Sequence, residues 1–137
     1  MFRIYNSLTI FLYPVFILII LIRKFLKKEN NESLVGKLFP TKFLIDKDFS
    51  KKLIWFHAAS IGEAQSIIPL IKKLVGSSNN FEILITTITQ SSSLLIRKNF
   101  KKNKNIKHRY LPIDIRFLAQ KFLDGWRPNL AIFVDSE

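Results

Sequence analysis

From Leu53 onward the spacing of apolar positions alternates between the pattern of a strand and that of a helix. This alternation predicts strands that are followed by helices. Each unit opens with a short apolar run of strand length, and a helical stripe with apolar residues three and four positions apart follows. The predicted strands are residues 53–58, 81–88, 106–111 and 130–134. Alternation at this spacing predicts an α/β fold with a parallel, Rossmann-like sheet and right-handed crossovers.

The predicted helices have recognisable boundaries. The first runs from Glu63 to Val75 and contains Pro69, which should bend it. The second ends near Phe100, and the third is capped by Asp114 and closed by Gly125. Because the sequence stops with its fourth strand, we expect an unfinished sheet edge and a fragment of a larger, two-domain protein.

The amino-terminal segment from Ile4 to Ile22 carries no charge and predicts one transmembrane helix. As a helix it would span roughly 28 Å, about a bilayer core, and Pro14 is tolerated in such a helix. Basic residues follow between Arg23 and Lys28, and the positive-inside rule places the remainder in the cytoplasm. A cleaved signal peptide is the alternative, but the apolar stretch is long and no small-residue cleavage site follows. We therefore expect a single-pass anchor with a basic collar in residues 1–28.

Composition adds limits on chemistry and partners. The chain has no cysteine, which excludes disulfides and thiolate metal sites, and its two histidines lie far apart in sequence. The net charge of +12 accompanies many Ile, Phe, Lys and Asn residues, so codon preference explains it as well as an anionic partner does. We therefore predict no metal and no nucleic acid.

Residues 29–50 are polar and predict a connector with a short helix near residues 32–38. An incomplete domain is expected in residues 51–137.

The segment Ser60-Ile-Gly-Glu63 follows the first strand and has two interpretations. In the first interpretation, a capping box, Ser60 caps the helix and Glu63 bonds back to the Ser60 amide. The pattern alone favours the capping box. Alternatively, Glu63 is a general base at the carboxyl end of a strand. Gly62 would then let a ligand approach the backbone, and the helix dipole would attract an anion.

Other polar residues stand at strand ends, where parallel α/β sheets bind ligands. Thr86 and Thr87 are equally well explained as β-branched strand residues or as hydroxyls that face a polar ligand. Asp135 and Glu137 follow the fourth strand on one side of it; solvation at a chain end explains them better on pattern alone. His57 lies within a strand and is expected to be a hydrogen-bonded core residue.

Five motifs in the same order resemble the 3-deoxy-D-manno-octulosonic acid (Kdo) transferases of lipopolysaccharide synthesis. The first, Trp55-Phe-His-Ala-Ala-Ser-Ile-Gly-Glu63, resembles the signature of this family. The others are Thr86-Thr-Ile-Thr89, Tyr110-Leu-Pro-Ile-Asp114, Trp126-Arg-Pro128 and Phe133-Val-Asp-Ser-Glu137.

The resemblance implies a GT-B glycosyltransferase of two Rossmann-like domains. The donor would be CMP-Kdo, held mainly by a C-terminal domain missing here, and the acceptor a lipid A precursor at the cytoplasmic face of the inner membrane. No cofactor or metal is implied. Glu63 matches the general base, and Asp135 matches the first Glu of a Glu-x-Glu pair that stabilises the transition state, though it is one methylene shorter. Ser60, Gly62, Thr86, Thr87 and Glu137 are the expected substrate contacts.

Two other functions stay open on the sequence. One is a non-catalytic, membrane-anchored Rossmann-like module that binds a lipid or a protein. The other is a nucleic-acid binder, which would require binding with a steep salt dependence. A second α/β domain after Glu137 would favour the enzyme.

Overall fold

Four parallel strands form a single sheet in the order β3-β2-β1-β4. The structure, a computed structural model, describes residues 2–42, 44, 47–77 and 80–135. The strands are β1 (Lys52–Ala58), β2 (Phe81–Thr87), β3 (Ile106–Tyr110) and β4 (Leu130–Val134). The predicted parallel, Rossmann-like sheet is therefore confirmed, and β1 lies between β2 and β4.

Five helices accompany the strands in the part of the chain that the structure describes. They are α1 (Phe2–Phe25), α2 (Asn31–Leu38), α3 (Ile61–Ser77), α4 (Gln90–Phe100) and α5 (Arg116–Trp126). Helix α2 confirms the predicted short helix, and α3 begins two residues earlier than predicted. Pro69 lies inside α3 as expected.

The predicted ends of α5 were wrong at both termini. Ile115, not Asp114, occupies the cap position, and its side chain makes no capping hydrogen bond. Gly125 lies within the helix, and Arg127 adopts the left-handed conformation that ends it (φ 45°). A Cβ on Gly125 would lie 2.5 Å from Leu44 Cδ1, so the glycine is explained by close packing, not by a helix end.

The two faces of the sheet are covered by different helices. On one face Phe56 and Ala58 of β1 pack with Ile67 and Ile71 of α3. On the other face α5 supplies Phe122 and Trp126, which pack on Leu53, Trp55 and Leu84. Burial on both faces explains why β1 and β2 are apolar over most of their length, and it fixes the register that positions the strand ends.

The prediction of a transmembrane helix and a single-pass anchor in residues 1–28 was wrong. Among the described residues, none of the helices combines the length and apolar character needed to cross a membrane. Asn6, Ser7, Thr9 and Pro14 interrupt the apolar positions of α1. The unbroken apolar run, residues 15–22, covers only about 12 Å, less than half of a bilayer core.

A buried carboxylate, that of Glu29, joins the end of α1 to α2. Glu29 is 5% exposed, and its Oε1 accepts hydrogen bonds from Lys37 Nζ (2.6 Å) and Arg23 Nε (3.1 Å), while Ser33 Oγ donates to its Oε2. Burial by itself would raise the pKa of Glu29, but the bonds and charge of these partners outweigh it and lower that pKa. The backbone of α2 also reaches β3: Gly36 lies so close to Tyr110 that an added Cβ would be 3.2 Å from Tyr110 Cβ.

Candidate functional site

The turn between β1 and α3 holds the carboxylate of Glu63 at the carboxyl edge of the sheet. Glu63 is 8% exposed. Its Oε1 accepts a hydrogen bond from Ser60 Oγ (2.8 Å), its Oε2 accepts one from the Ala59 amide (2.7 Å), and its own amide donates to Ser60 Oγ (3.2 Å). A capping box therefore forms, but Glu63 reaches the Ala59 amide and not the predicted Ser60 amide. These bonds fix the position of the carboxylate.

The surface beside this carboxylate is open at Gly62. Gly62 is exposed, and a Cβ built on it would meet only Ser60 Oγ, at 3.9 Å. The backbone amides of the first turn of α3 lie at this position, where a helix attracts negative charge. The backbone next to Glu63 is therefore exposed at Gly62, and the approach of a ligand there stays a prediction.

Thr86 lies at the centre of a buried hydrogen-bond network between β1 and β2. It is fully buried, and its hydroxyl accepts a bond from Trp55 Nε1 (2.8 Å) and lies 2.9 Å from His57 Nδ1. Its hydroxyl is therefore used inside the protein, which favours the strand-residue interpretation. His57, 8% exposed, is hydrogen-bonded at the edge of the core as predicted.

Thr87 has the equivalent position on the other face of the sheet. It too is fully buried, and its hydroxyl lies 2.9 Å from Nε2 of His108 on β3. Nδ1 of His108 accepts a hydrogen bond from Arg97 Nε (3.3 Å). Two threonines thus tie β2 to the strands on either side of it, and their role as substrate contacts stays a prediction.

Asp135 follows β4 on the same edge of the sheet. Val134 is aligned with Ala58 in the β1–β4 ladder, so Asp135 comes one residue beyond that pair, just as Ala59 does on β1. Asp135 is exposed, while Glu137 lies outside the described residues. The register therefore brings the ends of β1 and β4 side by side. Glu63 follows β1 in the first turn of α3 and Asp135 follows β4 directly; the roles of both carboxylates stay predictions.

Sequence reasoning missed two polar clusters, the buried ion pairs of Glu29 and the contact of Arg97 with His108. Glu29, Ser33 and Lys37 recur at four-residue spacing, and this spacing was the available signal, although Glu29 lies just before the cap residue of α2. The Arg97–His108 contact joins residues of different elements, and no local pattern indicates it. Among the described residues, no group of three or more His, Cys, Asp or Glu side chains is placed to hold a metal ion.

A family model described as 3-deoxy-D-manno-octulosonic-acid transferase (kdotransferase) matches residues 26–137. The chain belongs to this family. The Kdo transferase of Rickettsia bellii is 34% identical over 137 residues, all of this chain and 32% of that protein. The Rickettsia typhi enzyme is 35% identical over 109 residues, 80% of this chain and 22% of that protein.

More distant relatives share the same region. The probable mitochondrial Kdo transferase of Arabidopsis thaliana is 34% identical over 85 residues, 62% of this chain and 19% of that protein. The chain thus spans a third or less of the length of these curated relatives. No solved structure shows significant similarity to it.

We expect the buried His108 to make the fold less stable as the pH falls. Burial, and then the charges of Arg97 and Arg109, lower the pKa of His108 from 6.5 to about 3. Between these values the unfolded chain binds a proton that the folded chain does not, so the free energy of unfolding should fall by up to about 1.4 kcal/mol per pH unit below pH 6.5. Urea unfolding at a series of pH values from about 7 to 5 measures this slope.

His108→Gln provides the control for this slope. Its amide can still bond to Thr87 but does not titrate, so the slope should become shallower. Burial also lowers the pKa of His57, which contributes in the same direction, whereas burial raises the pKa of Glu82, which contributes in the opposite one. An equal slope in the variant and the natural chain would show that His108 is not responsible.

Proposed function

We propose that this chain is the acceptor-binding, N-terminal part of a GT-B enzyme that transfers Kdo from CMP-Kdo to a lipid A precursor. The observation that carries the proposal is the Glu63 carboxylate, fixed at the carboxyl edge of a parallel sheet beside the open backbone at Gly62. Such an edge is where this sheet type binds its ligands.

In the proposed reaction Glu63 is the general base. Its carboxylate removes the proton of an acceptor hydroxyl, the oxygen forms a bond to the anomeric carbon of Kdo, and the bond from that carbon to the CMP phosphate oxygen breaks. CMP leaves with the bonding electron pair. Asp135, followed by Glu137, stabilises the positive charge that develops on the sugar in the transition state.

The partners follow from the same proposal. CMP-Kdo is held mainly by a second domain outside these residues, and the acceptor is presented at the cytoplasmic face of the inner membrane. Exposed Lys24, Lys27 and Lys28 support a position near anionic lipid, and exposed apolar side chains of α1, among them Phe11 and Phe25, support contact with its apolar region. No metal or cofactor has a role in this transfer.

The direct test is a transfer assay with the full-length enzyme. Incubation with CMP-Kdo and a lipid A precursor should give a lipid product heavier by one or more Kdo residues, detected by mass spectrometry. The same incubation without the lipid should give no new glycoside. A folded enzyme that produces no Kdo-lipid would contradict the proposal and favour a non-catalytic lipid- or protein-binding module.

A further inference from the structure

A groove of about 710 Å³ lies at the β3 edge of the sheet and has no role in the chemistry proposed above. Residues 106–109 of β3, the edge strand, line it together with residues of α4 and with Glu32 of α2. Side chains of a strand alternate between the two faces of a sheet, so four consecutive lining residues place the groove at the edge and not on one face. Its volume is within the range of about 300–1,000 Å³ that is typical of sites for small molecules.

The groove combines apolar side chains with positive charge. Leu94 and Phe100 of α4 and Ile106 of β3 supply the apolar part, and Leu94 is 68% exposed. Within the described part of the chain, Glu32 is the one acidic residue of the lining, against five basic residues. The basic residues are Arg97, Lys98, Lys101, Lys107 and Arg109. Because a groove with charge of one sign concentrates ions of the opposite sign, this lining suits a molecule with an anionic group and an apolar chain.

Two of the basic side chains are available to an anion. Lys98 and Lys101 are exposed, and neither forms an ion pair with another of the residues that the structure describes. Leu94 precedes Lys98 by four residues, and Lys101, in helical conformation directly after α4, follows it by three. Residues at this spacing lie on one helical face, so the exposed leucine and the two ammonium groups can contact the same ligand.

The groove lies close to the end of α1. Glu29 accepts a hydrogen bond from Arg23 in the last turn of α1, and Glu32, which lines the groove, is only three residues further along the chain. Three residues span at most about 11 Å between Cα atoms. The exposed lysines and apolar side chains that support contact of α1 with anionic lipid are therefore continued by this groove.

We propose that the groove binds one anionic phospholipid of the membrane. Lys98 and Lys101 contact its phosphate group, and Leu94 contacts the first part of an acyl chain. Inorganic phosphate would leave Leu94 in water, and a nucleic acid has no acyl chain to cover it. This inference rests on the membrane position in the proposed function, and it adds a lipid site whose lining includes no residue of β1 or α3, the elements on either side of the Glu63 turn.

The test is lysine acetylation of the natural full-length enzyme on vesicles, read by mass spectrometry. Vesicles of phosphatidylcholine with phosphatidylglycerol should slow the acetylation of Lys98 and Lys101 roughly five-fold, relative to phosphatidylcholine alone. Lys73 on α3 and Lys121 on α5 are internal references, because both are exposed and neither lines the groove. Their acetylation should hardly change.

Each of the other results would overturn the proposal. Equal protection of the reference lysines would show a general attraction of this basic protein to anionic surfaces. Equal protection by inorganic phosphate would show an adventitious ion only, and protection by a lipid A precursor but not by phosphatidylglycerol would make the groove part of the acceptor site. The measurement needs no CMP-Kdo, so a failure of Kdo transfer would contradict the proposed function and leave this result unaffected.

Variants of the full-length enzyme test the same site by its affinity. Lys98→Ala combined with Lys101→Ala should lower the partition coefficient onto vesicles with phosphatidylglycerol roughly twenty-fold, about five-fold for each lysine. Lys73→Ala combined with Lys121→Ala removes the same charge outside the groove and should lower it less than about two-fold. Equal losses in the two double variants would overturn the proposal.

Glu32→Gln should have the opposite effect. It removes the carboxylate that competes for Arg97, so binding to the same vesicles should become tighter, by up to about five-fold. The pair is exposed and contributes little to stability, so the variant should stay folded, which thermal unfolding checks. Unchanged or weaker binding by the folded Glu32→Gln enzyme would show that the anion does not bind in this groove.

Discussion

Replacement of Glu63 by glutamine in the full-length enzyme is expected to lower turnover by roughly two to four orders of magnitude. Glutamine keeps the size of the side chain, and its amide oxygen can still accept a bond from the Ala59 amide, which is 2.7 Å from the natural carboxylate. It cannot remove a proton from the acceptor hydroxyl. The melting temperature should therefore hardly change, and steady-state kinetics with thermal unfolding measures both quantities.

Ser60→Ala is the matched control for this experiment. It removes the hydroxyl that bonds to the Glu63 carboxylate and amide, and the lost cap should lower the free energy of unfolding by about 1 kcal/mol. The loss of rate should be smaller than in Glu63→Gln. If Glu63→Gln retains near-natural transfer, Glu63 is a capping residue and not the base.

Glu29→Ala is expected to lower the free energy of unfolding by roughly 3–5 kcal/mol. The variant leaves the ammonium group of Lys37 without the carboxylate that lies 2.6 Å from it, although the Lys37 side chain is only 9% exposed. An uncompensated charge in a buried position is strongly destabilising. Chemical unfolding of the variant and the natural chain under the same conditions measures the difference.

Glu32→Ala gives the control on the same short helix. Glu32 also forms an ion pair, with Arg97, but both of these side chains are more than a third exposed. An exposed pair of this kind contributes only about 0–1 kcal/mol. If Glu29→Ala and Glu32→Ala lower the free energy of unfolding by similar amounts, burial does not explain how much the Glu29 ion pairs stabilise the fold.

The parallel sheet could be predicted because its signals are local and repeated. Strands β1 and β2 are apolar over most of their length because helices cover both faces, and α3 between them shows a clear apolar stripe. The turn at Ser60–Glu63 could be predicted as well, since the residues of a capping box lie within one helical turn. Motif resemblance then supplied the family, which residue physics alone did not.

The remaining features depend on contacts that no local pattern records. Gly125 was wrongly predicted to end the helix. A glycine is needed there because the side chain of Leu44, far away in sequence, packs against it. The hydrogen-bond network of Trp55, His57 and Thr86 can be predicted only when the register of β1 and β2 is known. At the amino terminus the overall apolar composition outweighed the polar residues and the proline that interrupt it, and the span was wrongly predicted.

The position of β4 has a consequence for the order of folding during synthesis. The hydrogen bond of the β1–β2 pair between His57 and Thr86 links residues 29 apart in sequence, whereas the bond from Leu53 N to Asn129 Oδ1, just before β4, spans 76 residues. Loops of greater length close at a higher entropic cost, and the ribosome releases β4 after the other strands. The first three strands should therefore pair while His57 is still uncovered on one side, and the ring is enclosed only when Phe133 arrives.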